Sequence, residues 1–331
     1  MVRSETAADP VRMARILAGL RVYQQAPRPA APALPPIITR HGRAALHDYG
    51  GAGAPVVFVP SLINPPRVLD LAVENSLLRH LSARGHRILL VNWGGPEPAE
   101  RALDIAGHVE ALLLPLLAAL GRRPALVGYC LGGTMALAAA ANIACRGVAT
   151  LAAPWRFAGF PDAAREGLRA MFAHAQPAAE QMGLLPMEVL QTGFWRLDPA
   201  RTVGKFERLA GIDALDPALA DFVRLEDWAN DGPPLTLAAG RDLVDRFMAA
   251  DEPGSGRWRV GGHRIDPHVL PCPLLDIVST TDRIVPSATA HGAGDRITLG
   301  LGHVGMIIGG RAPERVWAPL DAWLSGLDAG C

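Results

Sequence analysis

The sequence predicts an α/β fold, in which a mostly parallel central sheet has helices on both faces and carries an inserted helical cap. Three observations predict it. Short apolar runs of strand length alternate with helical segments up to residue 154. Beyond that point the chain is helical and irregular, and alternation resumes at residue 273. The predicted parts are an N-terminal helix and Pro-rich linker (1–40), the first part of the core (41–154), the cap (155–257) and the second part of the core (258–331).

Composition bounds the class of protein. Half of the 331 residues are hydrophobic and 19% are charged, as in globular proteins that bury a large core. There are 32 basic and 32 acidic residues, and no basic block or basic–aromatic alternation occurs. The sequence therefore gives no support for a nucleic-acid partner.

The cysteines and the apolar runs indicate where the protein works. The four cysteines form no CxxC pair and show no Cys/His spacing typical of metal ligands, so we expect neither a disulfide framework nor a metal site. The N-terminus has no signal-peptide pattern, and the longest apolar runs are too short to span a bilayer, so we expect a cytoplasmic protein. These cysteines are Cys130, Cys145, Cys272 and Cys331.

The first half of the chain supplies most of the predicted sheet. An amphipathic helix over residues 8–23 is followed by an extended Pro-rich linker. Asp104 is predicted to cap a helix that Pro115 kinks. Apolar runs predict strands at 56–59, 87–91, 125–127 and 148–152, and the helices between them are predicted at 69–83, 105–120 and 134–144.

The second half predicts less regular structure. No buried parallel strand stands out between residues 155 and 257, which is why we assign that segment to the cap. Strands are predicted at 273–278 and 296–299, and a last helix begins near Pro313.

Residues 128–133, Gly-Tyr-Cys-Leu-Gly-Gly, stand between a predicted strand and a predicted helix. A nucleophile flanked by glycines in this context is typical of a nucleophile elbow, with Cys130 in the place that Ser usually occupies. Side chains at the flanking positions would collide with the strand and the helix. The alternative is a small buried Cys in a Gly-rich packing turn. The elbow predicts the α/β-hydrolase fold, with Cys130 as nucleophile at a helix N-terminus that favours an anion.

An activated thiol needs a base and an orienting acid. Asp282 and His303 each follow a predicted strand, in the chain order nucleophile, acid, base that this fold uses. Alone, Asp282 could be a turn residue and His303 a surface residue. We expect most of the other nine histidines to be solvated. The oxyanion hole is predicted from the backbone N–H groups of Leu131 and of Ile63 or its neighbour Leu62.

These motifs together resemble the polyhydroxyalkanoate synthases, a family of α/β-hydrolase fold enzymes. The family's G-x-C-x-G-G box is met at residues 128–133, and Asp282 and His303 stand at its acid and base. Residues 59–64 together with 68–71 resemble the family's oxyanion-loop motif. Residues 91–94 resemble its D-W-G motif, and residues 228–232 resemble its cap motif. Two positions differ from the family pattern: Asn92 replaces Asp, and Arg283 follows the acid where synthases often have His.

The resemblance implies an acyltransferase that polymerises 3-hydroxyacyl-coenzyme A into polyester through an acyl-Cys130 intermediate, with release of coenzyme A and without another cofactor. It also implies work at polyester granules, as a homodimer or with a second, different synthase subunit. Two alternatives remain open from the sequence. One is a thioesterase or polyester hydrolase that uses the same triad with water as acceptor, and the other is a non-enzymatic granule protein.

Overall fold

A single eight-stranded sheet forms the centre of the protein in the computed structural model, which describes residues 1–213 and 216–329 and, of residues 328 and 329, only the backbone. Cys331 lies outside the described residues. The strands are β1 (Ile37–His41), β2 (Ala44–Asp48), β3 (Ala52–Val59), β4 (His86–Asn92), β5 (Ala125–Tyr129), β6 (Gly147–Leu151), β7 (Leu274–Ser279) and β8 (Asp295–Leu299).

The spatial order of the strands is β1-β2-β4-β3-β5-β6-β7-β8. The six strands β3 to β8 are parallel, whereas β1 and β2 form an antiparallel edge. The carboxyl ends of parallel strands meet at one edge of a sheet, which is where ligands bind in such folds. The loops after β5, β7 and β8 therefore open at the same edge.

Helices cover both faces of the sheet, and each face buries its own core. Along β3, Val57 and Val59 pack into one core while Val56 and Phe58 pack into the other, as the two-residue period of a strand requires. The chain begins with α1 (Val2–Glu5) and α2 (Pro10–Gln25), and the sheet is flanked by α3 (Leu77–Ala83), α4 (Ile105–His108, continued by Val109–Leu113 and Leu114–Ala118) and α5 (Leu131–Ala140).

The remaining helices belong to the cap and to the end of the chain. They are α6 (Asp162–Met182), α7 (Met187–Leu197), α8 (Pro199–Glu207), α9 (Pro217–Ala229), α10 (Leu237–Arg241, continued by Asp242–Ala249), α11 (Gly305–Ile308) and α12 (Pro313–Trp317, continued by Ala318–Ala329). The predicted fold class is confirmed: the sheet is mostly parallel and a helical insertion follows β6. Within the described residues, no helix combines the length and the apolarity that crossing a membrane requires.

The N-terminal helix packs on the cap and not on the sheet. Ile16 of α2 is fully buried among Val203 and Phe206 of α8 and Val223 of α9, in a third core separate from those of the sheet. Glu207 accepts ion pairs from Arg12 and Arg15 at 3.0 and 2.7 Å. The chain then runs through the Pro-rich linker to β1, so the first 40 residues tie the cap to the sheet edge.

Some predicted elements are wrong. The helix predicted at 69–83 begins only at Leu77, because a hairpin of Asp70–Ala72 with Asn75–Ser76 precedes it. The hairpin is fixed by the buried carboxylate of Asp70, which binds Arg79 at 2.7 Å, and by Ser76, which caps α3.

Strands β1 and β2 were not predicted, and the cap contains one short strand pair, Leu184–Leu185 with Leu235–Thr236. Of the nine other histidines, most of which we expected to be solvated, His47, His86, His108 and His291 are buried and the remaining five are not.

Candidate active site

Cys130 occupies a strained turn between β5 and α5. Its backbone has φ 56° and ψ −133°, a conformation that L-residues rarely adopt. Two backbone hydrogen bonds hold it there, from Cys130 N to Leu151 O at 2.9 Å and from Gly133 N to Cys130 O at 2.8 Å. The turn places the half-buried thiol at the N-terminus of a buried helix, where N–H groups are free of intrahelical acceptors.

The glycines of the elbow are required by close packing. A Cβ on Gly128 would lie 2.3 Å from the Cα of Gly133, and a Cβ on Gly132 would lie 2.1 Å from the carbonyl oxygen of Val59. A Cβ on Gly133 would lie 2.3 Å from the Cβ of Ala153. None of these contacts can be relieved by rotating a flexible side chain, so the turn excludes any side chain at the three positions.

His303 and Asp282 come together at the same edge of the sheet. The Nδ1–H of His303 donates to Oδ2 of Asp282 at 2.7 Å, and both side chains are buried. The other carboxylate oxygen of Asp282 accepts the backbone N–H groups of Ile284 and Val285 at 2.8 and 2.9 Å. Asp282 is therefore both the turn residue and the partner of the histidine that the sequence offered as alternatives.

Cys130 and His303 line the same cavity at this edge of the sheet, with Asp282 hydrogen-bonded to the ring of His303. Burial lowers the pKa of His303, but its interactions with Cys130 and Asp282 outweigh the effect of burial and raise the pKa to about 10. The imidazolium form of His303 is thus favoured next to the sulfur of Cys130. This is the charge arrangement of an activated cysteine.

The two predicted oxyanion donors differ in their surroundings. Leu131 is the first residue of α5, where an N–H has no intrahelical acceptor. The N–H of Ile63 donates to the hydroxyl oxygen of Ser61 at 3.1 Å, in the loop after β3. A ligand oxygen at Ile63 would therefore compete with Ser61 Oγ.

Residues 60–66, which we call the oxyanion loop, are held from two sides. From the sheet, the indole N–H of Trp93 donates to Pro60 O at 3.0 Å. From the cap, the indole N–H of Trp228 donates to Pro65 O at 2.9 Å, and Asn64 donates to Asp231 O at 3.3 Å. The motifs at 91–94 and 228–232 are far apart in the sequence, yet both position this loop.

A cavity of about 150 Å³, which we call the catalytic cavity, opens onto the sulfur of Cys130. The cap closes it from above through Phe194 and Trp195 of α7, Lys205 of α8 and Trp228 of α9. Most of its wall is apolar, and its polar side chains belong to the residues around Cys130 and His303, to the oxyanion loop or to the cap. The further lining residues are Pro60, Ser61, Ile63, Asn64, Pro65, Val68, Tyr129, Gln191, Ala229, Ile284 and Val304.

Tyr129 and most of the cap residues of the cavity were not predicted as site residues. The ring of Tyr129 stacks on that of His303, with centroids 5.0 Å apart, and its hydroxyl donates to His303 O at 3.4 Å. Its place directly before Cys130 was a signal that could have found it. Gln191, Trp195 and Lys205 carried no such signal, because it is the packing of α7 and α8 that brings them over the site. In the described part of the chain, no cluster of three or more His, Cys, Asp or Glu side chains could hold a metal ion.

Known proteins similar to this chain agree with the fold and with the motifs. Residues 54–295 match the family model of the alpha/beta hydrolase fold. A poly(3-hydroxyalkanoate) polymerase subunit from Allochromatium vinosum is 28% identical over 290 residues, which cover 82% of this chain and 80% of that protein. The corresponding subunit from Haloferax mediterranei is 23% identical over 287 residues, and the match spans 82% of this chain but 58% of that protein.

Among solved structures, a bromoperoxidase from Bacillus anthracis superposes with a TM-score of 0.56 at 16% identity, over 85% of this chain and 95% of that one. At this identity the likeness concerns the fold alone. The family match covers well over half of the chain, and the motif resemblance is confirmed by the polymerase relatives. The chain belongs to the α/β-hydrolase fold family, and the curated proteins to which it is similar include poly(3-hydroxyalkanoate) polymerase subunits.

Proposed function

We propose that this protein is an acyltransferase that polymerises 3-hydroxyacyl groups from coenzyme A thioesters into polyester. Cys130 is the nucleophile, His303 the general base and Asp282 the residue that orients His303. The observation that carries the proposal is the Cys130–His303–Asp282 array beside a mostly apolar cavity that the cap covers on one side. The polymerase names of the relatives support it. The thioester supplies the activated acyl group, so the reaction draws on no further cofactor.

In the first step, the sulfur of Cys130 attacks the thioester carbonyl. The oxyanion that forms lies at the N-terminus of α5, near the N–H of Leu131 and the oxyanion loop. Coenzyme A leaves as a thiol and takes its proton from the His303 imidazolium, whose charge Asp282 stabilises. One thioester has been exchanged for another, so this step is close to neutral in free energy.

In the second step, the hydroxyl of the next 3-hydroxyacyl-coenzyme A attacks the acyl group on Cys130. His303 accepts the hydroxyl proton, an ester bond forms, and the bond to Cys130 breaks. The chain, now longer by one unit, is a coenzyme A thioester that can acylate Cys130 again with release of coenzyme A.

The acceptor decides between a polymer and a free acid. Apolar walls and the cap reduce the access of water to the acyl-enzyme, so a hydroxyl delivered on a bound substrate competes well with water. A cysteine ester is also more reactive toward an alcohol than a serine ester would be. Both features favour a synthase over the hydrolase that the same three residues could form.

The test follows the thiol released from 3-hydroxybutyryl-coenzyme A and the form of the product together. We expect thiol release with insoluble polyester from the parent protein and no release from Cys130→Ala. Cys130→Ser should lose nearly all chain growth, because an oxygen ester is a poorer acyl donor. Thiol release with only soluble 3-hydroxy acid, equally from the parent and Cys130→Ser, would establish a hydrolase. Absence of turnover in a folded parent protein, alone and with a candidate partner, would favour a non-enzymatic role.

The partners proposed are the polyester itself and either a second copy of this chain or a second, different synthase subunit. The word subunit in the relatives' names supports the last of these for this chain. We also propose that the protein works in the cytoplasm at the surface of polyester granules. Light scattering after size exclusion, with and without substrate, distinguishes a homodimer from a monomer awaiting a partner.

A further inference from the structure

A second cavity, of about 550 Å³, adjoins the catalytic cavity on the side of α8. We call it the outer cavity. His303 lies on the walls of both, so the two are neighbouring parts of one depression. The residues common to both walls are Phe194, Lys205, Ile284, His303 and Val304.

Three cations of α8 and its C-terminus line the outer cavity. Arg201, Lys205 and Arg208 are spaced four and three residues apart, so they share one side of the helix. The opposite side carries Val203 and Phe206, which are buried against the N-terminal helix. The packing of α2 on the cap thus turns the basic face of α8 toward the site.

The charges in the outer cavity do not cancel. Lys205 is paired with Glu226 at 2.5 Å, and Arg283 is paired with Asp198. Asp198 and Glu226 are the two carboxylates on the wall of this cavity. The guanidinium groups of Arg201 and Arg208 are exposed and have no hydrogen-bond or ion-pair partner among the described residues. Two cations are therefore available for a ligand.

We propose that Arg201 and Arg208 bind the phosphate groups of the coenzyme A thioester, while its acyl end reaches Cys130 through the catalytic cavity. This inference rests on the proposed function and adds which residues recognise the leaving group. The catalytic cavity is mostly apolar, so it suits an acyl group but provides few hydrogen-bonding partners for phosphate groups. Guanidinium groups bind phosphate oxygens with charge-assisted, often bidentate, hydrogen bonds.

The test compares two thioesters of the same acyl group, 3-hydroxybutyryl-coenzyme A and 3-hydroxybutyryl-N-acetylcysteamine, which lacks phosphates. The variants are Arg201→Gln, Arg208→Gln and the double variant. We expect each single change to lower the preference for the coenzyme A thioester, measured as the ratio of kcat/KM values, by roughly fivefold, and the double change by more than tenfold. The loss should lie in KM. High salt should reduce the preference of the parent protein in the same direction.

Arg169→Gln is the matched control, because Arg169 is an exposed cation of the cap that does not line the outer cavity. Its preference ratio should equal that of the parent. An unchanged ratio in the folded double variant would overturn the inference. If the parent releases thiol from neither compound, the proposed function fails instead. Calorimetry of coenzyme A and of pantetheine with Cys130→Ala then decides this inference alone: it stands only if the double change weakens binding of coenzyme A and not of pantetheine.

Discussion

Asp282 uses its two carboxylate oxygens for two purposes. Oδ1 accepts backbone N–H groups of Ile284 and Val285 and so fixes the turn after β7. Oδ2 accepts the Nδ1–H of His303 and so fixes the orientation and charge of the ring. The position of the base therefore depends on a turn whose own geometry is determined by the same side chain.

Asp282→Asn separates the two purposes. The amide oxygen can still accept the backbone N–H groups, so the fold should persist. The negative charge that stabilises the His303 imidazolium is lost, so we expect the rate of thiol release from 3-hydroxybutyryl-coenzyme A to fall by about 10²–10⁴-fold. Steady-state thiol release measures the effect, and circular dichroism shows that the variant is folded.

Asp321→Asn provides the comparison for that experiment. Asp321 accepts from His86 at 2.8 Å, in a buried carboxylate–histidine pair that does not line the catalytic cavity. This change should lower stability while thiol release per folded molecule stays near that of the parent. Equal loss of activity in both variants would show that Asp282 acts only through stability.

At the scale of elements, the N-terminal helix and the cap behave as one packed unit. Helix α2 contacts α8 and α9 through the third core, while the cores of the sheet lie elsewhere. The cap in turn supplies Trp228 to the oxyanion loop. Loosening α2 should therefore reach the site through the cap and not through the sheet.

Ile16→Ala tests this connection. Ile16 is fully buried, so its truncation should leave a cavity and cost about 2–4 kcal/mol in stability of the cap unit. Hydrogen exchange followed by mass spectrometry should show faster exchange in α8 and α9 than in the parent, with β5 and β6 unchanged. Leu17→Ala, on the same helix at a position 49% exposed, should change little. Uniform acceleration across the sheet would contradict the account.

The sequence predicted the elements whose residues are buried on both faces, and failed where side-chain contacts decide. The apolar run within β3 was predicted as a strand, because its residues are all apolar and pack alternately into the two cores of the sheet. At residues 70–76 the helical spacing misled, because the buried ion pair of Asp70 with Arg79 favours a hairpin. The edge strand β1 is largely exposed, so no apolar pattern marks it.

The same distinction between features set by the fold and features decided by individual contacts applies to the candidate site. The placement of Cys130, Asp282 and His303 at one edge of the sheet could be predicted, because the fold constrains which loop carries each residue. The bond of Ile63 N to Ser61 Oγ could not, since it depends on the conformation of one loop. The approach of Lys205 to the cavity depends on how α8 packs on α2, which no local pattern encodes.

At the scale of the whole molecule, stability depends on buried histidines. The Nδ1–H of His108 donates to Asp104 O at 2.7 Å, and its Nε2 accepts from Arg43 at 2.6 Å. Burial and the charge of Arg43 lower the pKa of His108 to about 4, against the bonding to Asp104 and the charges of Glu100 and Asp104, which raise it. The neutral ring is thus part of the folded state.

Because the pKa of His108 is lower in the folded state than in the unfolded chain, the free energy of unfolding decreases as the pH is lowered. The contribution of His108 is complete above its ordinary value of 6.5 and is lost as the pH falls toward 4, for a total of about 3 kcal/mol. Urea unfolding across this range should show a shallower loss in His108→Gln than in the parent. His41→Gln, which removes an exposed histidine, should follow the parent. Identical slopes in all three proteins would exclude this role for His108.

The central claim is that Cys130 carries the acyl chain. Mass spectrometry of peptides from protein quenched in acid during turnover of 3-hydroxybutyryl-coenzyme A tests it most directly. We expect the peptide containing Cys130 to gain the mass of one or more 3-hydroxybutyryl units, hydroxylamine to remove them, and Cys130→Ala to show no such peptide. Steady release of coenzyme A while Cys130 stays unmodified, or acylation at another residue that persists in Cys130→Ala, would contradict it.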